Sequence, residues 1–314
     1  MMMDIWDAKN VTPMLIADSQ EAFDSPDYIF ELKLDGVRCL AYLDPRSGVE
    51  LRNKRNLRVT HLYPELHSIH KQVKKRCILD GELIVMKEGR PDFYEMQRRA
   101  LMSNNTRISF AAAKLPVSFS AFDIVYLDNA SVTDLPLMER KTLLQKTVRE
   151  DERLSIARYI PEKGSQLYEL TVRQELEGVV AKRKDSRYYF GKRTKDWVKI
   201  KNLMDDDFVV CGYIPKENHV VSIILGSYDA DGTLRNRGHV TLGVSSEQFE
   251  RIRKMERLTT PLFPNETDGA VWIKPEYVCT VEYMMPTQGG GLRQPVFKGL
   301  RDDKAPEECT WKKY

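Results

Sequence analysis

The chain has 314 residues, room for two domains at roughly 100–200 residues each. With 42% hydrophobic and 30% charged residues, it reads as a globular chain rather than a disordered, collagen-like or membrane-spanning one. The net charge of +3 hides an asymmetry: residues 205–314 carry −3, residues 1–204 carry +6, and residues 181–201 alone hold nine basic and two acidic side chains. Such a concentrated basic segment points to local binding of a polyanion, with a solvated basic face as the plainer reading. Five scattered cysteines without a CxxC pair argue against a disulfide or zinc framework and for a reducing, intracellular compartment.

In chain order, residues 28–35, 39–43, 76–86, 117–126 and 178–182 are expected to be strands, from alternation or β-branched content. Residues 94–102, 138–150 and 166–175 have the i, i+3, i+4 apolar spacing of helices. After residue 201 the texture changes. Residues 208–214, 220–228, 239–242 and 278–285 are short strand candidates, and 247–258 is an amphipathic helix with Ser245 as N-cap and Gln248 three residues on. That set suggests a small barrel of the OB type. The polar run Asp205-Asp206-Asp207 is expected to separate the two textures, giving domains 1–204 and 205–314.

Several segments place reactive groups at regular spacing. In residues 28–35, Glu31, Lys33 and Asp35 share one strand face and Tyr28, Phe30, Leu32 and Leu34 the other, and Gly36 then permits a sharp turn. A lysine there can be a nucleophile; an edge strand with exposed charges is the alternative. Asp80 and Glu82 share a face within a very apolar strand, where unpaired carboxylates cost several kcal/mol. Lys199 and Lys201 share a face and repel unless an anion, such as phosphate, lies by them. Phe122 offers a ring on which a base can stack. An amine, carboxylates for a divalent cation and cations for phosphates suit attack on a nucleoside triphosphate with Mg²⁺. No Walker A motif is present, since Gly289-Gly290-Gly291 lacks a following Gly-Lys-Ser/Thr.

These residues resemble the motifs of the covalent nucleotidyltransferases, the polynucleotide ligases and mRNA capping enzymes. Lys33-Leu34-Asp35-Gly36-Val37-Arg38 is similar to motif I, KxDGxR. Asp80-Gly81-Glu82 resembles motif III, Phe122-Asp123 motif IIIa, Glu177-Gly178-Val179-Val180 motif IV and Lys199-Ile200-Lys201 motif V. The stretch from Arg293 to Lys304, with Val271-Trp272-Ile273-Lys274-Pro275 before it, resembles bacterial ATP-dependent DNA ligases, including the ligase module of end-joining ligases.

The resemblance implies an α+β fold: a nucleotidyltransferase (adenylation) domain of antiparallel sheets with helices, then an OB-fold barrel. It implies that Lys33 attacks the α-phosphate of ATP, Glu31 approaches the adenine, and Phe122 stacks on it. Arg38 would contact the ribose or the nucleic-acid end, and Glu82 the ribose. Glu177, with Asp35, would hold Mg²⁺ or Mn²⁺, and Lys199 and Lys201 would bind the α-phosphate. Arg301, Asp303 and Lys304 would come from a mobile second domain and orient pyrophosphate. For the arginine after motif I that contacts the nucleotide or 5′-phosphate, both Arg52 and Arg55 fit, and Arg52 is preferred. Lys33 would take AMP, pass it to the 5′-phosphate of a nick, and the 3′-hydroxyl would displace it.

Arg183, Lys184, Arg187, Lys192, Arg193 and Lys195 are expected to contact phosphates, with Tyr188, Tyr189, Phe190 and Trp197 interleaved; each also reads as plain surface. The partner implied is nicked double-stranded DNA, with end-joining or repair proteins, no membrane, and a monomeric chain at work in the cytoplasm. An RNA ligase or GTP-using capping enzyme shares the nucleotide chemistry and stays open, as does a non-catalytic nucleic-acid-binding module. His67 and His70, three apart, are read as structural rather than metal-binding, and Cys39 and Cys77 as buried apolar residues.

Overall fold

Strands that are apolar on both faces need cover on both sides. Val37–Asp44, Cys77–Lys87 and Val117–Leu127 are such strands, and they form the centre of a sheet edged by Gly48–Asn53 and Ala130–Ser131. The computed structural model describes residues 4–217, 220–263, 269–284, 286–287 and 289–311. Met1 to Met3, His219 and the last residue of the strand expected over 278–285 lie outside them. The chain divides into two compact units, Met1–Asn202 and Leu203–Tyr314.

In the first unit, one face of the central sheet buries Cys39, Ala41, Leu79 and Ile124 in a core shared with Met96 and Ile108 of helices Phe93–Ala100 and Asn105–Lys114. The opposite face buries Leu40, Tyr42, Ile78 and Val125 against Met14 and against Ile29 and Trp197 of a second sheet. That sheet runs Leu15–Ser19, Arg193–Lys201, Gly178–Arg183, Tyr28–Leu32, Tyr159–Pro161. Its outer face, with Phe30, Val179, Ala181, Val198 and Ile200, packs with Leu167 of helix Gly164–Arg173. The inner faces also carry Glu31, Lys199 and Lys201 from this sheet and Arg38, Asp80 and Glu82 from the central one. Most pairings are antiparallel, but Leu15–Ser19 runs parallel to Arg193–Lys201, and Leu154–Ile156 parallel to Val117–Leu127.

Two expectations need correction here, and one helix was not expected. The strand expected over 28–35 ends at Leu32, so Lys33 and Asp35 lie in the loop that follows. Leu32 is exposed and Glu31 is buried, so this is no edge strand with solvated charges. Helix Asn105–Lys114 was legible but unassigned: the Asn104 side chain accepts a bond from the Arg107 N–H, a regular N-cap.

The second unit is a five-stranded antiparallel sheet in the order Leu234–Val240, Val221–Tyr228, Met204–Pro215, Val271–Tyr283, Val296–Arg301. A parallel bridge from Leu242 to Val296 joins its edges and closes a barrel. Residues 205–207 are not a linker: they lie inside the strand Met204–Pro215, paired with Val271–Tyr283. The barrel helix is Ser246–Arg253, capped by Ser245, whose hydroxyl accepts the Gln248 N–H. The Gln248 side chain does not return to the cap; it accepts the Leu300 N–H.

Leu79 is fully buried in the largest core of the first unit. Leu79→Ala is expected to cost about 2–5 kcal/mol, measured as a lower midpoint of that unit's calorimetric transition. An unchanged transition would contradict this packing.

Candidate active site

Cross-strand pairs share a sheet face. In the second sheet, Glu31 pairs with Val180 and Val180 with Lys199, while Gly178 pairs with Lys201. One row therefore carries Glu31 and Lys199, and the next Lys201, on the same face as Trp197 and Lys182. Just past the end of Tyr28–Leu32, the Lys33 N–H donates to the Gly178 carbonyl at 2.9 Å, which holds the lysine at the sheet's end. Its Nζ lies 2.6 Å from Glu177 Oε1. Two glycines shape this corner. Gly178 has φ +137°, and a Cβ there would meet the Ile200 carbonyl at 2.1 Å; a Cβ on Gly36 would meet the Leu83 carbonyl at 2.1 Å.

The central sheet supplies the opposite wall. Arg38 donates two bonds of 2.6 Å to Asp80, which has no exposure and also accepts the Tyr188 hydroxyl at 2.6 Å. The Arg38 guanidinium lies 4.5 Å from the Phe122 ring centroid, and Lys182 Nζ lies 4.3 Å from the same ring and 4.2 Å from Trp197. The ring expected to receive a base is thus flanked by cations. Lys182 donates to Glu31 Oε2 at 2.7 Å, and Lys141, from helix Leu137–Thr147, pairs with Glu31 Oε1. Burial pulls the Lys182 ammonium down to about 8 against the opposing pull of Glu31. Burial pushes Glu82 up to about 8, although Arg38 and Lys33 pull it down.

Lys33, Glu177, Glu31, Arg38, Glu82, Phe122, Lys199 and Lys201 all belong to this inner-face cluster, and Asp35 follows in the Lys33 loop, half-buried. Arg52 is held within its own hairpin by Glu50 at 2.6 Å and the Asn56 carbonyl at 2.9 Å; Arg55 is exposed. Arg301, Asp303 and Lys304 sit in the second unit. Asp207 Oδ2 accepts from Arg301 at 2.7 Å and Lys304 at 2.8 Å, and Arg301 also pairs with Asp303. Burial acts to raise the Asp207 carboxyl, but Lys304, Thr280 and Arg301 outweigh it and hold it below the usual range.

The basic segment is not one solvated strip. Lys182 is buried, Arg183 pairs with Asp185, Lys184 with Glu162, and Arg193 donates to the Ile16 carbonyl. Arg187, Lys192 and Lys195 are exposed. Tyr188 and Trp197 are 3% and 1% exposed, so these two are core residues rather than stacking platforms. His67 and His70 bond to the backbone carbonyls of Thr60 and His67. Arg140, bonded twice to Asp123 at 2.8 Å, and Lys141 were missed. The signal existed: buried carboxylates at 31, 80 and 123 require cationic partners, but Arg140 and Lys141 read as a solvated helix face.

The chain matches the family model "ATP dependent DNA ligase domain" over residues 10–201 and "ATP dependent DNA ligase C terminal region" over 216–304. The chain belongs to the ATP-dependent DNA ligase family. It is 31% identical over 321 aligned positions to the multifunctional non-homologous end joining DNA repair protein LigD of Mycobacterium tuberculosis, covering 98% of this chain and 40% of that protein. The DNA ligase of Archaeoglobus fulgidus is 34% identical over 89% of this chain and 52% of its own length. The chain thus spans about half or less of these relatives. A solved structure of mycobacterial DNA ligase D complexed with ATP and MES is similar at TM-score 0.57 and 30% identity, covering 96% of this chain and 98% of that one. The two-part fold, a nucleotidyltransferase domain followed by an OB-fold domain, is that of this ligase family.

Glu82 keeps a proton up to about pH 8, where an unfolded glutamate loses it near 4.5. Folded protein therefore binds more protons than unfolded between those values, and stability falls as pH rises through that window, then levels. Glu82→Gln removes the slope. Thermal melts across the window are expected to show the native protein losing stability relative to the variant; parallel curves would contradict the burial of Glu82.

Proposed function

We propose that this chain uses ATP to seal nicks bearing a 5′-phosphate and a 3′-hydroxyl in double-stranded DNA, through an adenylate on Lys33. The observation that carries the reading is the Lys33 Nζ held 2.6 Å from Glu177 at the polar end of the inner faces, with Lys199 and Lys201 on the same sheet face. In the first step, the N–P bond forms as the bond from the α-phosphorus to the bridging oxygen breaks, and pyrophosphate leaves. Glu177 aims the amine and is the acceptor toward which its proton points. Lys199 and Lys201 neutralise charge on the α-phosphoryl oxygens. The 5′-phosphate of the nick then takes AMP from Lys33, and the 3′-hydroxyl displaces AMP as the backbone closes. Each is an in-line displacement, so positioning and charge carry the catalysis.

Among the described residues, no three His, Cys, Asp or Glu side chains are grouped to hold a metal ion. That suits Mg²⁺ or Mn²⁺, since Mg²⁺ is usually held by one or two carboxylates together with substrate phosphates and water. Glu177 and Asp35 are the carboxylates proposed to hold it, and when bound it would supply charge neutralisation on the phosphates. Arg301, Asp303 and Lys304 are proposed to orient the pyrophosphate. Arg52, now tied to Glu50, is the proposed contact for the nucleotide or 5′-phosphate.

The exposed Arg187, Lys192 and Lys195 are the proposed DNA-backbone contacts. Arg183 and Lys184 join them by exchanging surface ion pairs for phosphate at little cost, and Arg193 by exchanging its bond to the Ile16 carbonyl. A place in end joining or repair, with protein partners, is proposed from the relatives' names. So is work as a monomer inside the cell, a setting that suits the five buried free thiols. No helix among the described residues is long and apolar enough to cross a membrane.

A labelled nicked DNA duplex is expected to be sealed with ATP and Mg²⁺, and Glu177→Ala to lower the rate by about 100-fold or more. DNA affinity is expected to fall steeply with salt, with a shallower slope after charge reversal at Arg187, Lys192 and Lys195. Sealing without ATP, or equal sealing of nicked RNA, would overturn the reading.

A further inference from the structure

Glu31 is 2% exposed, and each of its oxygens has its own ammonium: Lys141 on Oε1 and Lys182 on Oε2. The two lysines come from different elements, the helix Leu137–Thr147 and the strand Gly178–Arg183. Lys182 has further work, standing over the Phe122 and Trp197 rings. Lys141 is itself 2% exposed, lies 5.7 Å from the Tyr159 ring centroid, and its ammonium's one hydrogen-bonding partner among those identified is Glu31. A buried lysine at that cost, directed at one carboxylate, fixes the state and orientation of that carboxylate.

The chemistry gives the fixation a purpose. An ionised carboxylate only accepts hydrogen bonds, whereas a protonated one also donates. The 6-position of adenine is an amine, a donor; the 6-position of guanine or hypoxanthine is a carbonyl, an acceptor. A carboxylate held ionised favours the amine and repels the carbonyl, and one that takes up a proton accommodates both. Each Glu31 oxygen keeps a lone pair beyond the one its lysine uses.

We propose that Lys141 is a positioning residue for base selectivity: by pairing with Glu31 Oε1 in the protein interior, it keeps Glu31 an acceptor-only group and thereby makes the site read the 6-amino group of ATP. The inference rests on the reading of Lys33 as the residue that takes the nucleotide and of Glu31 as the group that faces the base. Lys141 touches neither nucleotide nor reacting atoms, so its effect depends on the 6-substituent and not on the triphosphate.

The test is labelling of the intact chain by three nucleotides: ATP, purine riboside triphosphate, which differs from it only in having hydrogen at the 6-position, and ITP, which has a carbonyl there and a proton on the neighbouring N1. The native protein is expected to favour ATP over ITP by about 100-fold or more in kcat/KM, with purine riboside triphosphate between them. Lys141→Met is expected to lose efficiency with ATP while keeping that with ITP, so that the ratio falls at least tenfold; Lys141→Arg is expected to retain it. An equal loss with all three nucleotides would assign Lys141 a merely structural role and overturn the inference. Should Lys141→Met fail to fold, the native protein and Lys141→Arg still decide: native labelling indifferent to the 6-substituent overturns the inference while leaving Lys33 in place. No labelling of native protein by any of the three overturns the reading of Lys33 itself.

Discussion

Asp80 and Asp123 have no exposure to solvent, and Glu31 and Glu177 have 2% and 6%. Four carboxylates in the interior of a small domain are tolerable only if each has a cation and its remaining oxygens are bonded. The first unit meets that condition with Arg38 on Asp80, Arg140 on Asp123, Lys141 and Lys182 on Glu31, and Lys33 on Glu177. The polar site and the fold are therefore one network. Removing a single partner leaves an uncompensated buried charge, which is why these side chains hold the inner faces in register as well as serving chemistry. Lys33 differs from the others in position: it lies past its strand's end and keeps 23% exposure.

Much of this was legible in the residues. Period-two alternation correctly put Lys199 with Lys201, because side-chain direction in a strand is local geometry; Lys33 lies past the end of Tyr28–Leu32, so its place beside Glu177 comes from the loop and not from alternation with Glu31. A small barrel with one capped helix followed from turn signals and from Ser245, but the strand Val296–Arg301 was not among those expected. What escaped was non-local. The strand Leu15–Ser19 has no strong pattern of its own and exists because Arg193–Lys201, far along the chain, offers it an edge. Arg140 and Lys141 look like solvated helix charges until the helix is laid against Asp123 and Glu31. Tyr188 and Trp197 sit in a basic stretch yet pack in the core with Met14, Leu40 and Tyr42. Residues 205–207 read as a polar boundary between two textures, but they lie within a strand paired with Val271–Tyr283, where cations meet Asp207.

That last cluster gives the second unit its own organisation. Asp207 gathers Arg301 and Lys304 onto one carboxylate oxygen while Thr280 donates to the other. Two cations sharing one oxygen are held close together, and a phosphate offering more oxygens is a natural competitor for them. The same carboxylate holds Arg301 and Lys304 together, the pair proposed to orient pyrophosphate.

The account turns on the fate of one nitrogen. Peptide mass mapping of the native protein after incubation with ATP and Mg²⁺ is expected to find a single AMP, bound through an acid-labile nitrogen–phosphorus bond, on the peptide containing Lys33, and none in Lys33→Ala. AMP on another residue, or an unmodified Lys33 in protein that releases pyrophosphate, would contradict it.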